Sequence, residues 1–252
     1  AGLAINDPVT LTQALASVRI LPGDVLELAD GVYTGDYVSS VLSAGTEAAP
    51  VIIKPRNPGM VTIDGSLKIQ WEHTHIYDIN FNDSRTDWHI ITNAIYCARP
   101  GFHLHGCIVQ GLHNSGVQFF GGSAEGSENM ILNCGYLDAN NSGHGHNIYT
   151  HNHAGGPCLI ARNMFSNGRS DYCLHIYSGG ANYMRDYTVE NNVTHGDATH
   201  TGGGLGLINF VYRNNIQYGD YIQHGRYGGD HQNDTALIEG NESIDISSWS
   251  VH

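Results

Sequence analysis

The chain has 252 residues, of which 14% are charged and 32 are glycine; 11 basic residues face 24 acidic ones, for a formal charge of −13. No basic stripe is available to release counterions, so a nucleic-acid partner is disfavoured. A polyanionic substrate would need clustered basic residues or a metal, and with Lys54 and Lys68 the only lysines, a lysine base is a poor candidate.

No apolar run reaches the length of about 18 residues that a membrane helix needs, so no membrane insertion is expected. The opening AGLAINDP shows neither region of a signal peptide. A short helix is predicted next, with Asp7 as N-cap, Pro8 at the first helical position, and Val9, Leu11, Ala14, Leu15 and Val18 on one apolar face. Turns at Pro22-Gly23-Asp24 and Asp30-Gly31 then separate apolar strands, and a further pair flanks the Pro55–Gly59 turn.

From about Thr74 the chain repeats itself. Aligning HIYDINF, HLHGCIV, ILNCGYL, LIARNMF, TVENNVT, VYRNNIQ and IEGNESI gives the column Ile79, Cys107, Cys134, Asn163, Asn192, Asn215, Asn241, at intervals of 28, 27, 29, 29, 23 and 26 residues. Three residues earlier runs Ile76, Leu104, Ile131, Ile160, Val189, Tyr212. Such a period marks a solenoid whose repeats bury their apolar faces against one another. The segments are too short, too β-branched and too rich in Gly and Asn for helix pairs. A second alternating strand follows in most repeats: NAIYCAR, GVQFFGG, NIYTHN, CLHIYSG and YIQHGRY. The expected fold is all-β, a single-stranded right-handed parallel β-helix of about nine rungs with an N-terminal capping helix. It forms one domain over 1–252, with the cap at 1–20, rungs at 21–246 and a tail at 247–252. Asn repeated at one corner is explained by amides bonding rung to rung, in a residue that tolerates a left-handed bend.

The five cysteines do not have zinc-site spacing. Cys107 and Cys134, on successive rungs of one column, lie within disulfide reach, but stacked parallel side chains point the same way. Reduced, buried thiols are expected.

The stretch GDVLELADGVYTGD…APVIIKPRNPGMVTIDG resembles the opening rungs of right-handed parallel β-helix proteins of the pectin-lyase-like group. GHGHNIYTHN (residues 143–152) resembles a segment found in a bacterial subset of them. The resemblance covers most of residues 20–245 and implies the fold. It implies less about activity, because the group includes polysaccharide lyases, glycoside hydrolases, uronan epimerases, phage tailspikes and structural proteins. The Asp pairs, the Asp-x-His-Glu stretch and the Lys/Arg pair of several of its catalytic families are missing here.

The strongest constellation lies where the second strands stack. Aligning NIYTHN with CLHIYSG sets Tyr149 beside His175 and His151 beside Tyr177, all facing outward. Imidazole and phenol suit proton abstraction and leaving-group protonation near neutral pH. These four are the candidate catalytic residues. Gln118 and Gln223 on the same column, His146 in the preceding loop and Arg185, which could neutralise a sugar carboxylate, are the candidate substrate-binding residues. A glycan contact without chemistry, or packing alone, would use the same ladder.

The pairs His73/His75, His103/His105, His144/His146 and His151/His153 raise a metal reading. None matches a known zinc signature, and neither a metal nor another cofactor is expected. On adjacent rungs His75 should stack on His103 and Tyr77 on His105, while Glu190 should pair with Arg213. Two functions follow: a carbohydrate-directed protein, with lyase-type β-elimination as its enzymatic form, acting on an extracellular or cell-surface glycan; or a structural component of an assembly such as a virion decoration or tail. The end carrying Ile244, Ile246, Trp249 and Val251 has no visible cap, so a homo-oligomer is expected, three-fold in the assembly version.

Overall fold

The computed structural model describes residues 9–16, 20–40, 45–85, 94–111, 114–137, 143–152, 156–166, 172–177, 183–196, 198–202, 206–219, 222–225 and 235–244. Alternating apolar and polar residues become strands with one face inward. Over Val61–Ile69, for example, every second residue from Val61 to Ile69 is buried. Nine parallel strands form one face: Val25–Leu28, Val51–Pro55, Thr74–Tyr77, His103–His105, Ala124–Ser127, Cys158–Ala161, Tyr187–Glu190, Phe210–Arg213 and Ala236–Glu239.

A 15-stranded sheet supplies the other two faces. Its two arms diverge from Val61–Ile69, which pairs with both Asn80–Asn82 and Ile95–Cys97. The bend falls at Gly65, whose φ of +142° is open to glycine and which stacks on Gly35 at +141°. One arm continues through Ile108–Gln110, Met130–Leu132, Met164–Ser166, Val193–His195, Ile216–Tyr218 and Glu242–Ile244. The other continues through Val117–Phe119, Ile148–Thr150, Tyr172–Tyr177, Ala198–Gly202 and Ile222–Gly225.

Among the described residues, the turns beginning at Thr74, His103, Ala124, Cys158, Tyr187 and Phe210 carry a strand on each of three faces. The protein is thus an all-β parallel solenoid of about six turns that are complete on all three faces, while the first face alone stacks nine strands. The turns before and after these six have fewer strands.

The N-terminal helix differs from expectation. It is the five-residue α1, Leu11–Leu15. Thr10 is its N-cap, in a reciprocal capping box with Gln13. Val9 precedes the helix and is half exposed, Leu11, Ala14 and Leu15 face inward, and Asp7, Pro8 and Val18 lie outside the described residues.

The asparagine ladder exists, with one member corrected. The residue between Cys107 and Asn163 is Asn129, not Cys134. Strand register places Ile108, Met130 and Met164 side by side, and therefore the residues before them. Asn129 Oδ1 accepts from Cys107 N at 2.9 Å, and the motif repeats through Asn163, Asn192, Asn215 and Asn241. Likewise Gly126, not Ile131, stands between Leu104 and Ile160. The left-handed bend belongs to the residue before each ladder position. Asp78, Gly106, Glu128, Arg162, Asn191, Asn214 and Gly240 have φ of 54°, 67°, 57°, 57°, 56°, 53° and 62°.

None of the five cysteines is in a disulfide, and all five are buried. Burial pushes the Cys97 and Cys107 thiols up to about 12 and Cys158 to about 11, so these are apolar core residues and not nucleophiles. Ile244 ends the last described strand; Ile246, Trp249 and Val251 lie beyond the described residues. No helix among the described residues is long and apolar enough to cross a membrane.

Candidate functional site

Positions on one arm of the large sheet stack in register. Lys68 pairs with Tyr96, Tyr96 with Gln118, Gln118 with Tyr149, Tyr149 with His175, His175 with His200, and His200 with Gln223. Ile148 and Thr150 face the core on either side of Tyr149, as Leu174 and Ile176 do around His175, so buried neighbours fix the direction of each outward side chain. Gln118, Tyr149, His175 and Gln223 therefore share one column, as the sequence alignment requires. His200 was missed, because its strand ATHTG lacks aliphatic alternation.

The rings form a connected cluster. The Tyr149 and His175 centroids are 5.2 Å apart, Tyr177 lies 5.1 Å from His175, and Tyr172 lies 4.9 Å from it. His146 reaches in from the preceding turn, with its Nε2 2.8 Å from His175 Nδ1. Ser115, buried at 1% exposure, accepts from both Gln118 Nε2 and the His146 backbone N–H at 3.2 Å. It ties the glutamine to the histidine pair. Sequence reading found neither Tyr172 nor Ser115. The 29-residue separation of His146 and His175, one repeat length, was the available signal for their contact.

His151 stacks on Phe120 at 4.2 Å and 13°, and Phe120 also meets Tyr149 and Tyr96 edge-on at 5.5 and 5.7 Å. Phe120, like His200, Tyr172 and Ser115, is a residue that sequence reading missed. Arg185 is on Tyr183–Arg185, in a separate two-stranded parallel sheet with Gly206–Ile208. Its guanidinium lies 5.6 Å from the Tyr183 ring centroid. Asn152 Nδ2 donates to its carbonyl at 3.1 Å, linking this strand to the chain just past His151. Burial, and then Tyr177, raise the Tyr149 phenol above its ordinary value, so Tyr149 keeps its proton at neutral pH. Cluster and proton together provide a proton donor beside an imidazole on an outward face.

A second cluster occupies the nine-strand face. His75 and His103 stack at 4.0 Å and 5°, and Tyr77 meets His105 edge-on at 5.8 Å. Ser127 Oγ donates to Glu125 at 2.5 Å and lies 3.0 Å from His105 Nδ1. Burial, then the His103 imidazole, push His75 down to about 4. Ser127 is fully buried, which excludes it from attacking a substrate. Glu190 and Arg213 pair at 2.7 Å. Among the described residues no group of three or more His, Cys, Asp or Glu is arranged to hold a metal ion. His153 lies outside the described residues, as does the side chain of His144.

A family model described as chondroitinase B matches residues 5–207. A search of curated protein sequences returned no match. Among solved structures, an alginate lyase from Paenibacillus sp. str. FPU-7 is similar over 92% of both chains, at 14% identity and a TM-score of 0.51. A mannuronic acid specific polysaccharide family 6 lyase from human gut microbiota covers 94% of this chain and 80% of its own, at 11% identity and a TM-score of 0.45. The PL6 family alginate lyase AlyGC covers 82% of this chain, which spans 37% of that protein, at 16% identity and a TM-score of 0.42. At 14% identity the likeness to the Paenibacillus structure is one of fold.

Proposed function

The chain belongs to the chondroitinase B family, and from that premise we propose that it is a polysaccharide lyase that cleaves a uronate-containing glycan outside the cell by β-elimination. The observation that carries this reading is the outward cluster of His175, His146 and Tyr149, with its 2.8 Å histidine contact. In the proposed reaction substrate binding opens the buried Nε2 edge of His175, and the imidazole takes the proton from the sugar carbon next to the carboxylate. The C–H electron pair forms the new double bond, the glycosidic C–O bond breaks, and the Tyr149 phenol protonates the leaving oxygen. His146 holds the His175 ring in one tautomer and orientation, Tyr177 and His151 wall the site, and Gln118 and Gln223 bind sugar hydroxyls. Arg185 is the cation for the carboxylate of the reacting sugar.

Nothing in the matches supports the virion-component alternative. The test is incubation with a panel of uronate-containing and neutral glycans, followed by ultraviolet absorbance and mass spectrometry. An unsaturated uronate at the new non-reducing end is the expected product. A saturated product would mean hydrolysis, and no product from any uronan would remove the enzymatic reading.

A further inference from the structure

The column continues past the catalytic cluster toward the N-terminal turns, and its composition changes in a way that packing does not require. Each strand there presents outward residues at two positions, from Lys68 and Gln70 to His175 and Tyr177, and none of these positions holds a carboxylate. In a chain with 24 acidic residues that depletion is local. The nine-strand face carries Glu27, Glu125, Glu190 and Glu239. The carboxylate bonded to Ser66, on the strand of Lys68, is that of Asp36, and Arg85 already neutralises it at 2.8 Å. What the column face presents instead is a run of rings in contact, Tyr96 to Phe120 to Tyr149 to His175, with one cation at its end. Lys68 is exposed, and its Nζ sits 5.2 Å from the Tyr96 ring centroid.

We propose that Lys68 and Tyr96 form a distal sugar subsite that takes a uronate carboxylate, with the glycan lying along the solenoid axis from Lys68 to His175. The proposal rests on the lyase reading of the column and specifies its substrate: an anionic chain long enough to reach. Five strands separated by about 4.8 Å set that length at about 19 Å, and one rung is about one pyranose unit long. A sugar on each rung then lays its apolar C–H face on a ring, and the ammonium of Lys68, supported by the Tyr96 quadrupole, meets a carboxylate four rungs from the bond that breaks. Column positions without carboxylates let a polyanion approach a protein of charge −13.

The experiment is calorimetric titration of the Tyr149→Phe protein with saturated oligomannuronates and oligogalacturonates of two to six units, alongside neutral cello-oligosaccharides. For at least one uronate series affinity should rise with length and level off once the chain spans the column. Adding Lys68→Met should then weaken the longest ligands about tenfold and leave the dimer unchanged, Tyr96→Ala should do the same, and Lys54→Met, on the nine-strand face, should do nothing. Equal loss at every length, a silent Lys68→Met, equal binding of the neutral series, or no oligouronate binding would each overturn the subsite. The two readings fail separately. Length-dependent binding through Lys68 without any cleavage by the wild type would sink the lyase and keep the subsite; cleavage with a silent Lys68→Met would do the reverse.

Discussion

Replacing Asn192 by alanine tests the ladder where it is most enclosed. The Asn192 side chain donates to Ile160 O at 2.8 Å and to Asn215 Oδ1 at 2.9 Å, and it accepts from Asn163 N and Nδ2 at 2.9 and 3.0 Å. Two of these partners have alternatives. Asn163 Nδ2 also bonds Gly126 O, and Asn215 Oδ1 also accepts from Asn192 N. Of the other two, the Ile160 carbonyl keeps its place in the sheet ladder with the strand Tyr187–Glu190, whereas the Asn163 N–H would be stranded in a residue 2% exposed. At about 1–3 kcal/mol for a buried orphan the loss should be about 1–3 kcal/mol, or a fall of about 2–12 °C in Tm for a chain of this size. Thermal unfolding followed by far-ultraviolet circular dichroism reads it. Asn241→Ala, at the partly exposed end of the ladder, should cost less because water can replace the amide. Asn192→Asp should do no better than alanine, since it loses both donations and buries a charge. An Asn192→Ala protein that melts like wild type would refute the register of the ladder.

Acid should destabilise the protein partly through His75. Its folded pKa of about 4 lies below the unfolded 6.5, so the unfolded chain binds the extra proton between those values. This contribution is complete above pH 6.5 and is lost as pH falls toward 4, by about 1–2 kcal/mol after discounting for partial exposure. His75→Asn should flatten that limb in urea titrations across this range, and an unchanged slope would remove the stack as its cause. Gly65→Ala should cost about 3 kcal/mol or more, because the residue would need a positive φ and its Cβ would collide with the Gly35 carbonyl. A melting point equal to wild type would mean the two long strands do not bend together there.

The fold was legible because the pattern within a strand is local. Ile76, Leu104, Ile160 and Val189 alternate with outward residues, and the register of Tyr149 with His175 follows from matching two such strands. The error at Cys134 came from turn length. Cys107 to Asn129 spans 22 residues and Asn129 to Asn163 spans 34, and their mean of 28 imitates a regular repeat. The excess in the longer turn includes the antiparallel pair Tyr136–Leu137 and Gly143–His144, which no periodicity announces. The site was half legible for a related reason. Residues on strands could be aligned, and His146 could be named from the loop before them, whereas Ser115 reaches the cluster from a turn, where position depends on loop path rather than on period. Phe120 was passed over because a single outward aromatic reads as packing until its contacts with His151 and Tyr149 are known.

The most direct test of the central claim, that the outward column carries the chemistry, is the kcat of Tyr149→Phe and His175→Ala on a uronan cleaved by the wild type, with circular dichroism showing each variant folded. The account predicts that each falls at least about a hundredfold. Wild-type turnover in both folded variants would contradict it and move the chemistry off this face.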